Sequence, residues 1–100
     1  MANVKVKITP SLAGSLNASE SEWLIFEKEI AEGATIGDLF SDIAFSDAEF
    51  RKVIFEPNTG KINDLVIVVL NNKLLLSSDI IKHDLKDEDI LILLPVYMGG

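Results

Sequence analysis

The sequence predicts an α+β fold, with one main helix packed on one face of a mixed sheet of four to five strands. Three observations predict it. Apolar residues alternate with lysines at the start of the chain, a helical apolar stripe lies in its middle, and two strongly apolar runs near the end flank an Asn-Asn pair.

The elements follow in order. Val4, Val6 and Ile8 alternate with Lys5 and Lys7, the period of a half-buried strand, and Pro10 stops it. "SLAGSLNASESE" is small, polar and aperiodic, and so reads as a loop. "WLIFEKEI" resumes extended character with Leu24, Phe26 and Ile30 on one face, which makes the first two strands a hairpin with a long connection. In "ATIGDLFSDIAF", Ile36, Leu39, Phe40 and Ile43 fall at i, i+3, i+4 and i+7. Thr35 and Asp38 stand ahead of that stripe in capping-box register. Gly37 in the first turn costs about 1 kcal/mol relative to Ala, so packing must hold the helix down. Ser46 and Glu49 repeat the capping pattern, for one helical turn that carries Phe50 inward. "KVIFEPNTGKIND" reads as a short extended piece and a turn. "LVIVVL", Asn71-Asn72 and "KLLL" form a tight hairpin, since Asn tolerates the left-handed backbone of a primed two-residue turn. "SSDIIKHDLKDED" is a polar connector with a helical turn. "ILILLPV" does not alternate, which places the last strand centrally with both faces covered. Helix-on-sheet with this order is that of a β-grasp. Trp23, Phe26, Phe40, Phe45, Phe50 and Phe55 are all assigned to the core.

Composition narrows the function. A chain of 100 residues with 48% hydrophobic content is the size of one domain and can bury a core unaided. It contains no cysteine, which removes disulfides, thiolate metal sites and any thiol nucleophile of its own. A net charge of -7 opposes binding to nucleic-acid backbones and anionic membranes and favours a basic protein partner. The first residues do not form a signal peptide, and neither apolar run is long enough to span a bilayer. The expectation is a cytoplasmic protein with no nucleic-acid or membrane partner. The single histidine, His83, has no companion for a metal site or a triad and is assigned to the surface.

The chain ends Pro95-Val96-Tyr97-Met98-Gly99-Gly100. A terminal Gly-Gly arises by chance in about one chain in 200. Here it follows a buried strand and a stopping proline, so residues 1–95 form the domain and residues 96–100 a flexible tail that projects from it. Glycines without a Cβ let a main chain pass a narrow channel where any other side chain would collide. A terminal carboxylate, with a reference pKa of about 3.3 to 3.7, is ionised at neutral pH and is a poor acceptor for a nucleophile until it receives a leaving group.

"TIGDLF", "VVLNNKLL", "LKDEDILILLPV" and the terminal Gly99-Gly100 together resemble the MoaD/ThiS family of ubiquitin-like sulfur carriers, over nearly the whole chain. The resemblance implies a β-grasp whose Gly100 carboxylate is adenylated by a ubiquitin-activating-type enzyme with ATP and converted to a thiocarboxylate. The sulfur would then sit on Gly100, which suits a chain without cysteine. Gly99, Met98 and Tyr97 would be the tail required for access. No cofactor would be bound permanently, ATP being used by the activating partner. The chain would not be an enzyme itself, and a synthase large subunit would be its second partner. Asp87, Glu88 and Asp89 are candidate docking residues for a basic partner.

The sequence departs from the family pattern in four places. A single Pro95 follows Leu94, Met98 stands where a small residue is usual, Glu88 stands where glycine is common, and Ser11 to Glu22 lengthen the first loop. A non-glycine at position 88 must strain the turn or change its type. Molybdopterin or tungstopterin assembly is the pathway the resemblance favours. Carriers for thiamine, tRNA thiolation or sulfur amino-acid synthesis, a lysine modifier, and a β-grasp interaction domain that is never activated are the alternatives.

Overall fold

The computed structural model describes residues 1–10, 23–56, 61–63, 66–75 and 80–95. The expected loop at 11–22, the turn at 57–60 and the tail at 96–100 lie outside the described residues. The elements are β1 (Ala2–Ile8), β2 (Leu24–Ile30), α1 (Ile36–Ser46), α2 (Ala48–Ile54), β3 (Val66–Leu70), β4 (Lys73–Leu75), a 3-10 turn (Ile80–Lys82) and β5 (Ile90–Pro95).

The described strands form one five-stranded sheet in the order β2-β1-β5-β3-β4, with β1 and β5 parallel and every other pair antiparallel. This is the β-grasp arrangement. The expected alternation in β1 is borne out: Val4, Val6 and Ile8 are fully buried, with Lys5 and Lys7 on the opposite face. Leu24, Phe26 and Ile30 of β2 share the buried face through the β1 register. The expected primed turn is present, with φ of 49° at Asn71 and 70° at Asn72.

Helix α1 begins with the expected capping box. The Asp38 amide donates to Thr35 Oγ1 at 3.1 Å, and the Thr35 amide donates to Asp38 Oδ2 at 3.0 Å. Its stripe Ile36, Leu39, Phe40 and Ile43 is buried against the sheet. Gly37 is explained by packing. A Cβ there would stand 2.7 Å from the Ile81 carbonyl oxygen, so the helix can receive the 3-10 turn only with no side chain at that position.

Four expectations need correction. Residues 52–54 are helical rather than extended: they complete α2, where Phe50 and Ile54 at i and i+4 point into the core and Phe40 meets Phe50 edge-on at a ring-centroid distance of 5.7 Å. The cap of α2 is Asp47, not Ser46, since Asp47 Oδ1 accepts from the amides of Glu49 and Phe50, both at 3.1 Å. Phe45 and Trp23 are not core. At about 100° per residue, Phe45 lies about 180° round α1 from Ile36 and is 93% exposed. Trp23 precedes β2 in the outward parity and is 47% exposed. Finally, β5 is central as expected, but only Leu91 and Leu93 are fully buried, while Ile90, Ile92 and Leu94 are half-exposed on the face without helices.

Two outcomes test this packing by urea denaturation. Phe40→Ala should cost about 3 to 5 kcal/mol, whereas Phe45→Ala should stay within about 0.5 kcal/mol of the parent. Gly37→Ala should destabilise by about 1 to 3 kcal/mol through overpacking on Ile81, in spite of the better helix propensity of Ala. A stabilised Gly37→Ala variant would show that the 3-10 turn does not press on α1.

Candidate functional site: the ends of the central strand

Strand β5 has two ends, and the candidate residues divide between them. At the C-terminal end, Pro95 pairs with Val66, Leu93 pairs with Ile8, and the Thr9 amide donates to the Leu93 carbonyl at 3.2 Å. Beyond it lie Tyr97, Met98, Gly99 and Gly100, all outside the described residues. The tail therefore starts from a strand held on both sides.

The acidic turn sits at the other end of β5, roughly 17 Å from Pro95 at the rise of a strand. The turn spans Lys86 to Asp89, closed by the Asp89 amide donating to the Lys86 carbonyl at 3.2 Å. Glu88, its third residue, has a φ of 70°. Of the two possibilities open to a non-glycine here, the turn keeps its glycine-type geometry and carries the strain, a cost of order 1 to 3 kcal/mol.

Two of the three acidic side chains have internal partners. Asp87 Oδ1 accepts from the Asn3 amide at 2.8 Å, tying the turn to the start of β1. The Asp89 carboxylate accepts from the Lys86 amide at 2.7 Å through Oδ2 and from Asn71 Nδ2 at 2.8 Å through Oδ1. Backbone bonds complete the fastening: Glu88 N–H to the Asn3 carbonyl at 2.8 Å and Lys5 N–H to the Asp89 carbonyl at 2.9 Å. Glu88 is exposed, and no hydrogen bond or ion pair holds its side chain among the described residues. Of the three docking candidates it is the one whose carboxylate is fully available.

Sequence reasoning missed Asn71. Besides shaping its own turn, it accepts from the Ile90 amide through Oδ1 at 2.9 Å and donates its backbone N–H to the Ile90 carbonyl at 2.9 Å, so the β3–β4 turn fastens the start of β5. No local signal announces a contact made across 19 residues. The outward sheet face was also missed. Ile67 and Val69 of β3, Leu74 of β4, and Ile92 and Leu94 of β5 are adjacent through the register Ile67↔Leu94, Val69↔Ile92 and Val69↔Leu74. Leu74 is 65% exposed and the others half-exposed, and Lys7 adjoins this patch opposite Ile92. This apolar sheet face is a candidate interaction surface.

His83 is exposed, as expected, with Nδ1 3.0 Å from the Asp84 carbonyl oxygen. Among the described residues no group of histidine and carboxylates could hold a metal ion, and no helix is long and apolar enough to cross a membrane.

No protein-family model matches the chain, and no curated protein matches it. Solved structures do. SAMP1 of Haloferax volcanii superposes with a TM-score of 0.77 at 18% identity, covering 99% of this chain and 100% of that one. A Pyrococcus furiosus protein proposed to be molybdopterin converting factor subunit 1 gives 0.69 at 21% identity, over 97% and 100% of the two chains. A chain of the BexX/CysO complex of Amycolatopsis orientalis gives 0.68 at 24% identity, over 97% and 99%. At these identities the likeness is one of fold, and it extends over whole chains.

The geometry of the acidic turn can be checked directly. Glu88→Gly should raise stability by about 0.5 to 1 kcal/mol, the relief of the left-handed strain less the greater chain entropy of glycine. Asp89→Ala should lower it by about 1 to 2 kcal/mol, because two donors lose a charged acceptor at a half-exposed site. Chemical denaturation of the two variants separates these directions, and a destabilised Glu88→Gly would remove the strain argument.

Proposed function

We propose that this chain is a sulfur carrier: its Gly100 carboxylate is adenylated by a partner using ATP and is then converted to a thiocarboxylate. The observation that supports this most is the placement of the chain end. A strand paired on both sides as far as Leu93, and with β3 to its end, stops at Pro95, and the five residues that follow finish on Gly99-Gly100 in a chain without cysteine. The fold shared with SAMP1 and with the proposed molybdopterin converting factor subunit supports it further.

The chemistry is self-consistent. The ionised carboxylate attacks the α-phosphate of ATP and expels pyrophosphate, and a sulfur nucleophile then displaces AMP from the acyl carbon. The chain supplies the carboxylate and its reach, and catalysis belongs to the partner. The outward apolar face and Glu88 dock the activating enzyme and, in a second step, a synthase large subunit. Molybdopterin or tungstopterin assembly is the pathway we favour, on the resemblance in sequence and the Pyrococcus neighbour. A second reading, a modifier joined to target lysines through the same adenylate, is favoured by the name small archaeal modifier protein carried by another neighbour.

Pyrophosphate exchange with the cognate activating enzyme tests the reading. Deleting Gly100 withdraws the carboxylate by roughly 3.3 to 3.6 Å, and a misplacement of even 1 Å can cost on the order of a hundredfold. Exchange should therefore collapse in that variant and in Gly99→Val, with thermal stability and partner affinity unchanged. Protein from the native host should contain a fraction with one terminal oxygen replaced by sulfur, seen by intact mass. Lysine adducts in place of that fraction would select the modifier reading. Parental exchange by the Gly100 deletion would leave the interaction domain as the explanation.

A further inference from the structure

The helical side of the molecule carries a groove that the carrier reading does not use. It occupies about 770 Å³ between the end of α1 and α2, walled by Ala44 and Phe45 on one side and by Phe55 on the other, with Arg51, Lys52 and Glu56 at its rim. Phe45 is 93% exposed, the most exposed of the large apolar side chains in the described residues, and nothing in the fold requires it to be apolar. Isolated exposed apolar residues are ordinary, but this one lines a concave site with a second phenylalanine, and two cations stand together at the edge.

Charge singles the groove out. The chain has 16 acidic residues against nine basic ones, so adjacent cations with no carboxylate set between them are unusual on its surface. Arg51 makes no ion pair among the described residues, and Lys52 has only the exposed contact with Glu49 at 3.8 Å, which is worth little. Glu56, also at the rim, already has a partner of its own. The groove thus presents aromatic surface beside Arg51, which has no ion pair among the described residues, and beside Lys52, which has only its exposed contact with Glu49.

We propose that this groove is a second docking site, and that its occupant is a segment of a partner protein in which an aromatic or aliphatic anchor is flanked by carboxylates. The anchor would lie between Phe45 and Phe55, and the carboxylates would meet Arg51 and Lys52. The helices pack on one face of the sheet and the outward apolar patch is on the other, so the two surfaces can be occupied at once. A protein held in this groove remains bound while the sheet face is engaged, which allows a third protein to stay with the chain through successive partners.

The test is an NMR titration of the full chain with the synthetic peptide acetyl-Glu-Glu-Leu-Phe-Glu-Glu-amide, with a control peptide in which lysine replaces each glutamate. The acidic peptide should shift the amides of Phe45, Arg51, Lys52 and Phe55 in a saturable way that weakens as salt rises. Phe45→Ser and Arg51→Glu should each weaken it severalfold, the control peptide should not bind, and both variants should support pyrophosphate exchange at the parental rate. No saturable shift at millimolar peptide, or equal binding of the control, would overturn the proposal. Shifts of these amides with protein concentration alone would assign the groove to a second copy, and shifts on deleting residues 96–100 would assign it to the chain's own tail. Either would overturn it. Loss of exchange in the Phe45 variant would show that the groove is part of the activating surface and not a separate one, whereas loss of exchange only in the tail variants leaves the groove intact and the carrier reading supported.

Discussion

The parallel pairing of β1 with β5 is the constraint on which the rest of this structure depends. It joins the first strand of the chain to the last at the middle of the sheet, and it buries Val4, Val6, Ile8, Leu91 and Leu93 completely. A parallel neighbour cannot be reached by a tight turn, so β2, both helices, β3 and β4 all lie in the connection between the two strands, and the helices carry the chain across one face of the sheet from β2 at its edge to β3 beyond β5. The direction of the pair also decides where the chemistry can be. Because β5 runs with β1, its far end opens beside Ile8 and Thr9, and its near end is gathered by Asn3, Lys5 and Asn71. One end is closed by hydrogen bonds to the acidic turn, and the other ends at Pro95.

Much of this was legible because it is local. The alternation in β1, the stripe and capping box of α1, and the Asn-Asn turn each follow from residues within a few positions of one another, and each was found where expected. The β-grasp itself could be read from the order of elements. What was not legible depends on distance or on angle. The α2 segment 52–54 is Val-Ile flanked by Lys and Phe, which in isolation resembles a strand; only Phe50 meeting Phe40 shows that it is a helix. Phe45 resembles a core residue until its position is counted round α1. Asp87 and Asp89 read as docking candidates beside Glu88, since nothing nearby in sequence announces that Asn3 and Asn71 occupy them. The tail residues 96–100 lie outside the described residues, and their reading rests on the sequence alone.

The molecule divides its exposed apolar surface between its two faces. The outward sheet face is apolar around β3, β4 and β5, with Lys7 on it and Glu88 at its lower margin, while the helical face has aromatic surface with Arg51 and Lys52. Such a division follows from how the core is made. The sheet has a covered face and an open one, and α1 turns its stripe to the covered face, which leaves Phe45 on the far side of the helix. The fold therefore exposes apolar surface in two places, one on each side of the sheet. The strained turn at Glu88 fits the same picture. A core with this many fully buried side chains tolerates a local cost of order 1 to 3 kcal/mol, and so the residue at that turn is free to be chosen for what it presents rather than for its backbone.

On the carrier reading, the geometry also limits the partner. Five residues beyond Pro95 span at most about 18 Å, and β5 separates Pro95 from the acidic turn by roughly the same distance in the other direction. An activating enzyme that both grips the turn and receives the Gly100 carboxylate must hold the whole length of the sheet between them, and its nucleotide must lie within reach of the strand end. A partner that grips only the apolar patch beside Pro95 meets the second requirement without the first. The patch is adjacent to the strand end through Leu94 and Ile67, so it is the part of the surface best placed to fix the tail's starting point. The acidic turn acts at a distance from that point, where its charge can orient an approaching protein without constraining the last few ångströms. Positioning for chemistry and steering for encounter are thus assigned to opposite ends of one strand, and the rigidity of that strand, paired on both sides, is what allows one end to inform the other.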